Sequence, residues 1–388
     1  MTGGHARGAF GADMAARTIG EDIASRTDSY FTRTRKIVER FGDKPVVYAV
    51  FLRRPVLSAP KLMRDWIEAA AAERGIAIDV TVTHEEGREV AANEPLAYIA
   101  GSLRHLSEME TILLQKIGPV CVAAHNAWTM CRALPNSAFL AMDARHCAGA
   151  EMQDMMAYAC AVGSAAAKRQ GATGFIGNAN DATAHWFGNA KGFGTMPHSL
   201  IGYAGSTLRA AEMFRETFPG EPMTVLADYF GQEISDALAV CARFPDLVEA
   251  GKLSFRLDTH GGRYLEGLDA RSSTAVLERH APGVLRAHTN AADARYLSGP
   301  GVSAAAIWRM RDALNEAGYM KARIVASSGF GPEKCRAVGA TGAPIDVVGT
   351  GGFIPDAWSE TYATADIVEY DATPMVKLGR EFLLRRNP

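Results

Sequence analysis

The chain has 388 residues, 48% of them hydrophobic, and a formal net charge of −2 from 41 Lys+Arg against 43 Asp+Glu. That length suits two domains, or one barrel with an accessory layer, and the apolar fraction supplies a full core. The near-neutral balance excludes bulk attraction to nucleic acid or to an acidic membrane, and no apolar run of about 18 residues is present to span a bilayer.

The opening residues are rich in Gly and Ala, with early charges and no apolar signal segment, so a disordered lead of about 15 residues is expected. The segment 21–40 becomes helical and contains Thr27-Asp28-Ser29-Tyr30. The β-branched and aromatic run 45–52 predicts a strand, which Arg53-Arg54-Pro55 ends. Leu62, Trp66, Ile67 and Ala70 have helical spacing over 61–74, and Gly75 follows as a C-cap signal. Residues 76–82 alternate as a strand should. The stretch 87–100 predicts a strand pair with a turn at Asn93-Glu94-Pro95. The apolar stripe Leu103, Leu106, Met109, Ile112, Leu113 and Ile117 predicts a helix over 102–117. The first ~120 residues therefore read as an α+β layer.

After Ala124 short apolar runs end in small or acidic residues and alternate with helices such as 235–241 and 304–317. The runs are 174–177, 224–227 before Asp228, 253–257 before Asp258, 323–326 before Ser327, and 345–348 before Gly349-Thr350-Gly351-Gly352. This alternation predicts a parallel sheet, and several such units a (β/α) barrel whose functional groups sit just after the strands. The six cysteines, Cys121, Cys131, Cys147, Cys160, Cys241 and Cys335, form no C-x-x-C pair, so free thiols in a reducing cytoplasm are expected.

The strand ends collect the chemistry. Ser327-Ser328-Gly329-Phe330 and Gly349-Thr350-Gly351-Gly352 are glycine loops whose backbone N–H groups can converge on one anion; ordinary tight turns are the alternative. Arg256 and Asp258, two apart, point the same way on a strand: a structural ion pair, or an anion clamp beside a carboxylate for ribose hydroxyls or Mg²⁺. Asp228 is a second such carboxylate or a helix N-cap. Arg145-His146 is a cationic pair, for ligand or for solvent. Gly194-Thr195-Met196-Pro197-His198-Ser199-Leu200 is a tight turn that sets an imidazole between two hydroxyls. His198 there is a candidate for proton transfer or covalent catalysis, or a loop-bonding side chain.

These pieces, in this order, resemble the nicotinate phosphoribosyltransferase family of type II phosphoribosyltransferases, which includes enzymes for nicotinamide and quinolinate. The resemblance runs from about Thr27 to Lys377. It rests on Thr27-Asp28-Ser29-Tyr30, on Asn93-Glu94-Pro95-Leu96 with Glu110-Thr111, and on the His198 turn. It continues through Arg256-Leu257-Asp258-Thr259, Ser327-Ser328-Gly329-Phe330 and Ile345-Asp346-Val347-Val348-Gly349-Thr350-Gly351. It implies an α/β fold: an irregular (β/α) barrel, 126–354, packed on an N-terminal α/β sandwich domain, 1–125, completed by 355–388. It further implies a cytoplasmic homodimer with shared active sites, bound to neither nucleic acid nor membrane. The implied reaction joins nicotinate to 5-phosphoribosyl 1-diphosphate with ATP hydrolysis and Mg²⁺, in NAD salvage.

The resemblance also implies roles. Tyr30, from a second copy, lies against the pyridine ring. Arg256 contacts the nicotinate carboxylate or the diphosphate, and Arg145 clamps the diphosphate. Asp258 and Asp228 hold ribose hydroxyls and metal. Ser328, Gly329, Gly349, Thr350 and Gly351 cradle the 5-phosphate, and Lys377 reaches phosphate from the second copy. His198 is phosphorylated by ATP, with Thr195 beside it in the substrate site. Met142 stands where the family commonly carries a ring-stacking Phe, and His146 where it carries a second Arg. The ring-reading polar group falls on Ala179 or Asn180, and His260-Gly261-Gly262-Arg263 departs from the family pattern. A base other than nicotinate therefore stays open, as does a non-catalytic relative that binds a phosphorylated ligand, against which His198, Arg256 and Asp258 speak.

Overall fold

A computed structural model describes residues 23–287 and 290–384. The Gly/Ala-rich lead, and the first residues of the segment 21–40, lie outside them. Two compact units result: the described residues up to His125 with those from Pro355 onward, and Asn126–Ile354.

The first unit begins with the helices Ile23–Arg26 and Ser29–Phe41 and the strands β1 (Pro45–Phe51), β2 (Val56–Leu57), β3 (Ile78–Val82), β4 (Glu89–Val90) and β5 (Pro95–Ser102). The helix Lys61–Arg74 stands where the apolar spacing puts it, with Trp66, Ile67 and Ala70 buried. The strand pair expected over 87–100 does not form. β4 pairs with β2, while β5 pairs with β1 and β3. Asn93 sits at φ 66° with its N–H bonded to the Leu52 carbonyl at 2.8 Å, which returns the chain to the end of β1 and not onto β4.

The helix expected to end at Ile117 runs instead from Leu103 to Ala133, through Pro119. A mid-helix proline removes one hydrogen bond and costs about 3 kcal/mol. Here Val120, Cys121, Val122, Ala123, Ala124, Ala127, Met130 and Cys131 are all buried beyond it. Each such side chain returns on the order of 1–3 kcal/mol, so burial outweighs the local break.

The second unit holds β6 (Ala138–Ala141), β7 (Gly174–Asn178), β8 (Met223–Leu226), β9 (Leu253–Leu257), β10 (Arg323–Ala326) and β11 (Val347–Thr350). They form one parallel six-stranded sheet in the order β7-β6-β11-β10-β9-β8. β6 is a strand that the apolar runs of the sequence do not single out. β11 starts two residues later than the run 345–348; ahead of it Asp346 donates its N–H to the Ile324 carbonyl and accepts the Ala138 N–H at its own carbonyl, both at 3.0 Å.

Among the described residues no ladder joins the edge strands β7 and β8, so what the expected barrel region shows is a parallel sheet with helices between its strands. The segment 193–196 bonds to both edges: Phe193 N–H to the Asn178 carbonyl at 2.7 Å, and Met196 N–H to the Thr224 carbonyl at 3.4 Å.

β12 (Thr364–Tyr370) and β13 (Thr373–Pro374) complete an antiparallel sheet in the first unit, ordered β13-β12-β1-β5-β3. One face packs Ala49, Phe51, Val368 and Leu383, with Phe382 edge-on to Phe51 at 5.8 Å. Tyr48 on β1 shares a hydrogen bond with Glu110. Burial pushes the Glu110 carboxyl up to about 7, against the pull of that bond, and Asp366 and Asp28 push the same way.

Between the ordinary carboxylate range and pH 7 the folded chain therefore holds a proton that the unfolded chain has lost. Stability falls as pH rises through that window. Glu110→Gln should flatten the dependence by about 2 kcal/mol between pH 4 and pH 8, read by urea unfolding at both. Parallel pH profiles for mutant and parent would remove Glu110 from this role.

Candidate active site

All six parallel strands end at one edge of the second unit's sheet, so the residues just beyond β6 to β11 share that edge. The turn 194–200 reaches it from the side. Met196 is buried and anchors the turn, and Pro197 precedes the helix His198–Ala204 in extended backbone. His198 is thereby the first helical residue, 46% exposed, with Nε2 at 3.1 and 3.2 Å from the two carboxylate oxygens of Asp228. Asp228 follows β8 and is 9% exposed. This bond crosses between elements, unlike a local loop cap. A carboxylate on one ring nitrogen orients the imidazole and leaves the other nitrogen for chemistry.

The loop carrying Asp228 is itself fastened. Arg263 donates to the Asp228 carbonyl at 2.8 Å and to the Glu233 carboxylate at 2.6 Å. Glu233 is fully buried and also accepts the Thr259 hydroxyl at 2.8 Å. In the sequence Arg263 stands out only as part of a segment that departs from the family pattern. Its partner Asp228 lies 35 residues away, beyond the reach of any local pattern.

Arg256 leaves β9 toward this place. Its Nη1 donates to the Thr195 hydroxyl at 2.6 Å, while Nη2 stands 3.7 Å from Asp258. Its buried Nε has no partner among the described residues. Burial lowers the Arg256 pKa from its usual value; Asp258 and Asp228 oppose that shift, and Arg145 adds to it. A guanidinium held by one short bond, with donors to spare, suits an incoming anion. Asp258 is steadied by the Ser327 hydroxyl at 3.0 Å, which is shared with the Leu257 carbonyl.

The two glycine loops interlock. The Thr350 hydroxyl donates to the Phe330 carbonyl, and the Gly352 N–H to the Thr350 hydroxyl oxygen at 2.7 Å. A methyl group at position 352 would lie 2.1 Å from the Phe330 oxygen, so only glycine permits this approach. Ser328 at φ 74° and Gly329 at φ 68° form a left-handed turn. Thr350 thus holds the loops together with its side chain, and Gly351 lies between it and Gly352.

Met142 follows β6, with its N–H on the Thr350 carbonyl at 2.8 Å and its thioether against Gly349. Arg145 is exposed in the short helix Ala144–His146, with Nε at 3.4 Å from the His146 ring. The Asn180 side-chain oxygen accepts the Thr183 N–H and hydroxyl, both at 3.2 Å, so it closes its own turn.

Tyr30 and Lys377 belong to the first unit. Tyr30 is 58% exposed and donates to Asp28 at 3.1 Å; Lys377 is exposed near the end of the described chain. No group of three or more His, Cys, Asp or Glu able to hold a metal occurs among the described residues, and no described helix is long and apolar enough to cross a membrane. Asp228 and Asp258 remain as carboxylates that could share an Mg²⁺ whose other ligands come from phosphate and water.

No family model matches the chain, and no curated protein matches it. Its structure is similar to nicotinate-nucleotide pyrophosphorylase from Pyrococcus furiosus, with TM-score 0.68 and 23% identity over 92% of this chain and 77% of that one. Nicotinate-nucleotide pyrophosphorylase from Ehrlichia chaffeensis follows at 0.58 and 12%, covering 92% and 98%. Human nicotinic acid phosphoribosyltransferase is similar at 0.55 and 15%, covering 91% and 76%. The chain shares the fold of these proteins. At such identities the likeness is one of fold, and the chemistry rests on the residues above.

Proposed function

We propose that the chain is a nicotinate phosphoribosyltransferase of NAD salvage, a cytoplasmic homodimer that uses ATP as co-substrate and Mg²⁺. The observation that supports this most is Arg256. It is held by Thr195, loosely paired with Asp258, and has a spare donor, at the same sheet edge as the interlocked glycine loops and the His198–Asp228 pair.

In this reading the pyridine nitrogen lone pair bonds to C1 of the ribose while the C1–O bond breaks and its electrons leave with diphosphate. The departing charge meets Arg256 and Arg145, placed in advance, which is where cationic groups lower a barrier most. Asp258 and Asp228 take ribose hydroxyls and would hold Mg²⁺, which neutralises diphosphate charge when bound. Ser328, Gly329, Gly349 and Gly351 receive the 5-phosphate, and Thr350 keeps their loops joined. His198 Nδ1 attacks the terminal phosphorus of ATP, the P–O bond to ADP breaks, and Asp228 supports the charge that develops on the ring. Met142 covers one face of the base through its polarisable sulfur. Tyr30 and Lys377 enter only from a second copy.

A second reading, a different pyridine base, is supported by Asn180, whose side-chain oxygen is engaged in its own turn and so is not offered to a ring. Diphosphate release from phosphoribosyl diphosphate, with nicotinate, nicotinamide or quinolinate and with or without ATP–Mg²⁺, separates them. Nicotinate with ATP should be fastest. Release with quinolinate alone selects the second reading. Binding of phosphoribosyl diphosphate with no release for any base leaves a non-catalytic relative.

A further inference from the structure

Lys334 lies in the helix Pro332–Gly339, just past the Ser328–Gly329 turn, and is 7% exposed. A buried lysine without an anion beside it needs a reason. Its ammonium donates to the Ser328 carbonyl at 2.6 Å and stands 4.3 Å over the Phe330 ring. Ser328 is at φ 74°, a left-handed backbone that a residue with a side chain adopts at a cost of about 1–3 kcal/mol unless its surroundings impose it. Two groups impose it here: Lys334 holds the carbonyl of residue 328, and the Thr350 hydroxyl holds that of residue 330. No acidic side chain makes an ion pair with Lys334 among the described residues; Asp258 acts on its charge only from a longer distance, so that charge stands behind the turn without a direct partner.

We propose that Lys334 is a positioning residue for a sugar-phosphate ligand: it locks the Ser328–Gly329 turn in its anion-receiving shape and sets one buried positive charge beneath it. This rests on the phosphoribosyl reading above and assigns a residue that the reading does not use.

The charge is conditional on pH. Burial pulls Lys334 down to about 8; Arg295 from the helix Ala291–Ser298 adds to the shift, while Cys335 on its own helix and Asp258 after β9 oppose it. A phosphate monoester is already fully ionised above pH 7, so its affinity should fall as pH rises through 8 and the ammonium is lost. Folding stability moves the other way. From pH 8 up to the ordinary lysine range the unfolded chain keeps a proton that the folded chain has released, so this group's contribution improves with pH. A merely structural lysine would show the second trend without the first.

Calorimetry with ribose 5-phosphate on the full chain tests this. The parent should bind about tenfold more weakly at pH 9 than at pH 7 and take up protons on binding at pH 8. Lys334→Met should bind about tenfold more weakly at pH 7, show no pH dependence and take up no protons, with KM for phosphoribosyl diphosphate raised more than kcat is lowered. Should that variant fail to fold, the parent's pH profile and proton uptake decide alone. Parent affinity flat from pH 7 to 9 without proton uptake overturns the proposal. A parent that releases diphosphate but does not bind ribose 5-phosphate overturns it and leaves the function standing. One that releases none with any base and binds no ribose 5-phosphate overturns both.

Discussion

Arg256→Ala is expected to lower kcat/KM for phosphoribosyl diphosphate by about a thousandfold or more while leaving the protein folded. The geometry gives this asymmetry. Arg256 makes one short hydrogen bond, to Thr195; its nearest carboxylate is 3.7 Å away and its Nε is unpartnered. Burial works against its charge. A structural arginine would be saturated with acceptors, and this one is not. Its removal should therefore change folding stability by no more than about 1 kcal/mol, because the bonds lost are few and a desolvated cation goes with them. In the transition state the same cation faces charge leaving on diphosphate, where a preorganised donor matters most. Steady-state kinetics and a denaturant melt on one preparation check both halves. A variant that unfolds, while its folded fraction turns over normally, would make Arg256 a scaffold residue.

His198→Ala should abolish the stimulation of transfer by ATP and leave slower, uncoupled transfer in place. The imidazole is half exposed, where a nucleotide can reach it, and the Asp228 carboxylate sits on Nε2 at 3.1 Å. Nδ1 is then the nitrogen for the phosphoryl group. Losing a nucleophile that forms a covalent intermediate removes that route entirely, and mutations of such assemblies cost many orders of magnitude in the step concerned. The measurement is ADP formed per diphosphate released, with label from the terminal phosphate of ATP followed onto the protein. Equal labelling and equal stimulation in mutant and parent would take His198 out of the reaction. The two variants act on different steps, so their effects on ATP coupling should be separable.

Much of the secondary structure was legible because its signals are local. The stripe of Trp66, Ile67 and Ala70 places the helix Lys61–Arg74, and the β-branched run of β1 places that strand, since in both the burial period lies within a few residues. The positions of Asp228, Asp258 and the two glycine loops just past short apolar runs were readable for the same reason. Where distant packing decides, the local signal misleads. Pro119 marks a break in the sequence and none in the helix, because the residues beyond it are buried. β5 joins β1 and β3, not β4, because a turn at Asn93 is tied to Leu52.

What the sequence by itself determined is the set of groups and their strand-end positions: an imidazole in a tight turn, an arginine and an aspartate two apart, and two consecutive glycine loops. What only the tertiary structure decided is which of them meet. His198 and Asp228 are 30 residues apart, Thr195 and Arg256 61, and Thr350 and Phe330 20. Arg263 and Lys334 gain meaning only in the fold, where each holds a carbonyl, of Asp228 and of Ser328. A backbone carbonyl is present at every position of every chain. A bond to one therefore leaves no residue-type signature in the sequence, and only the fold selects it.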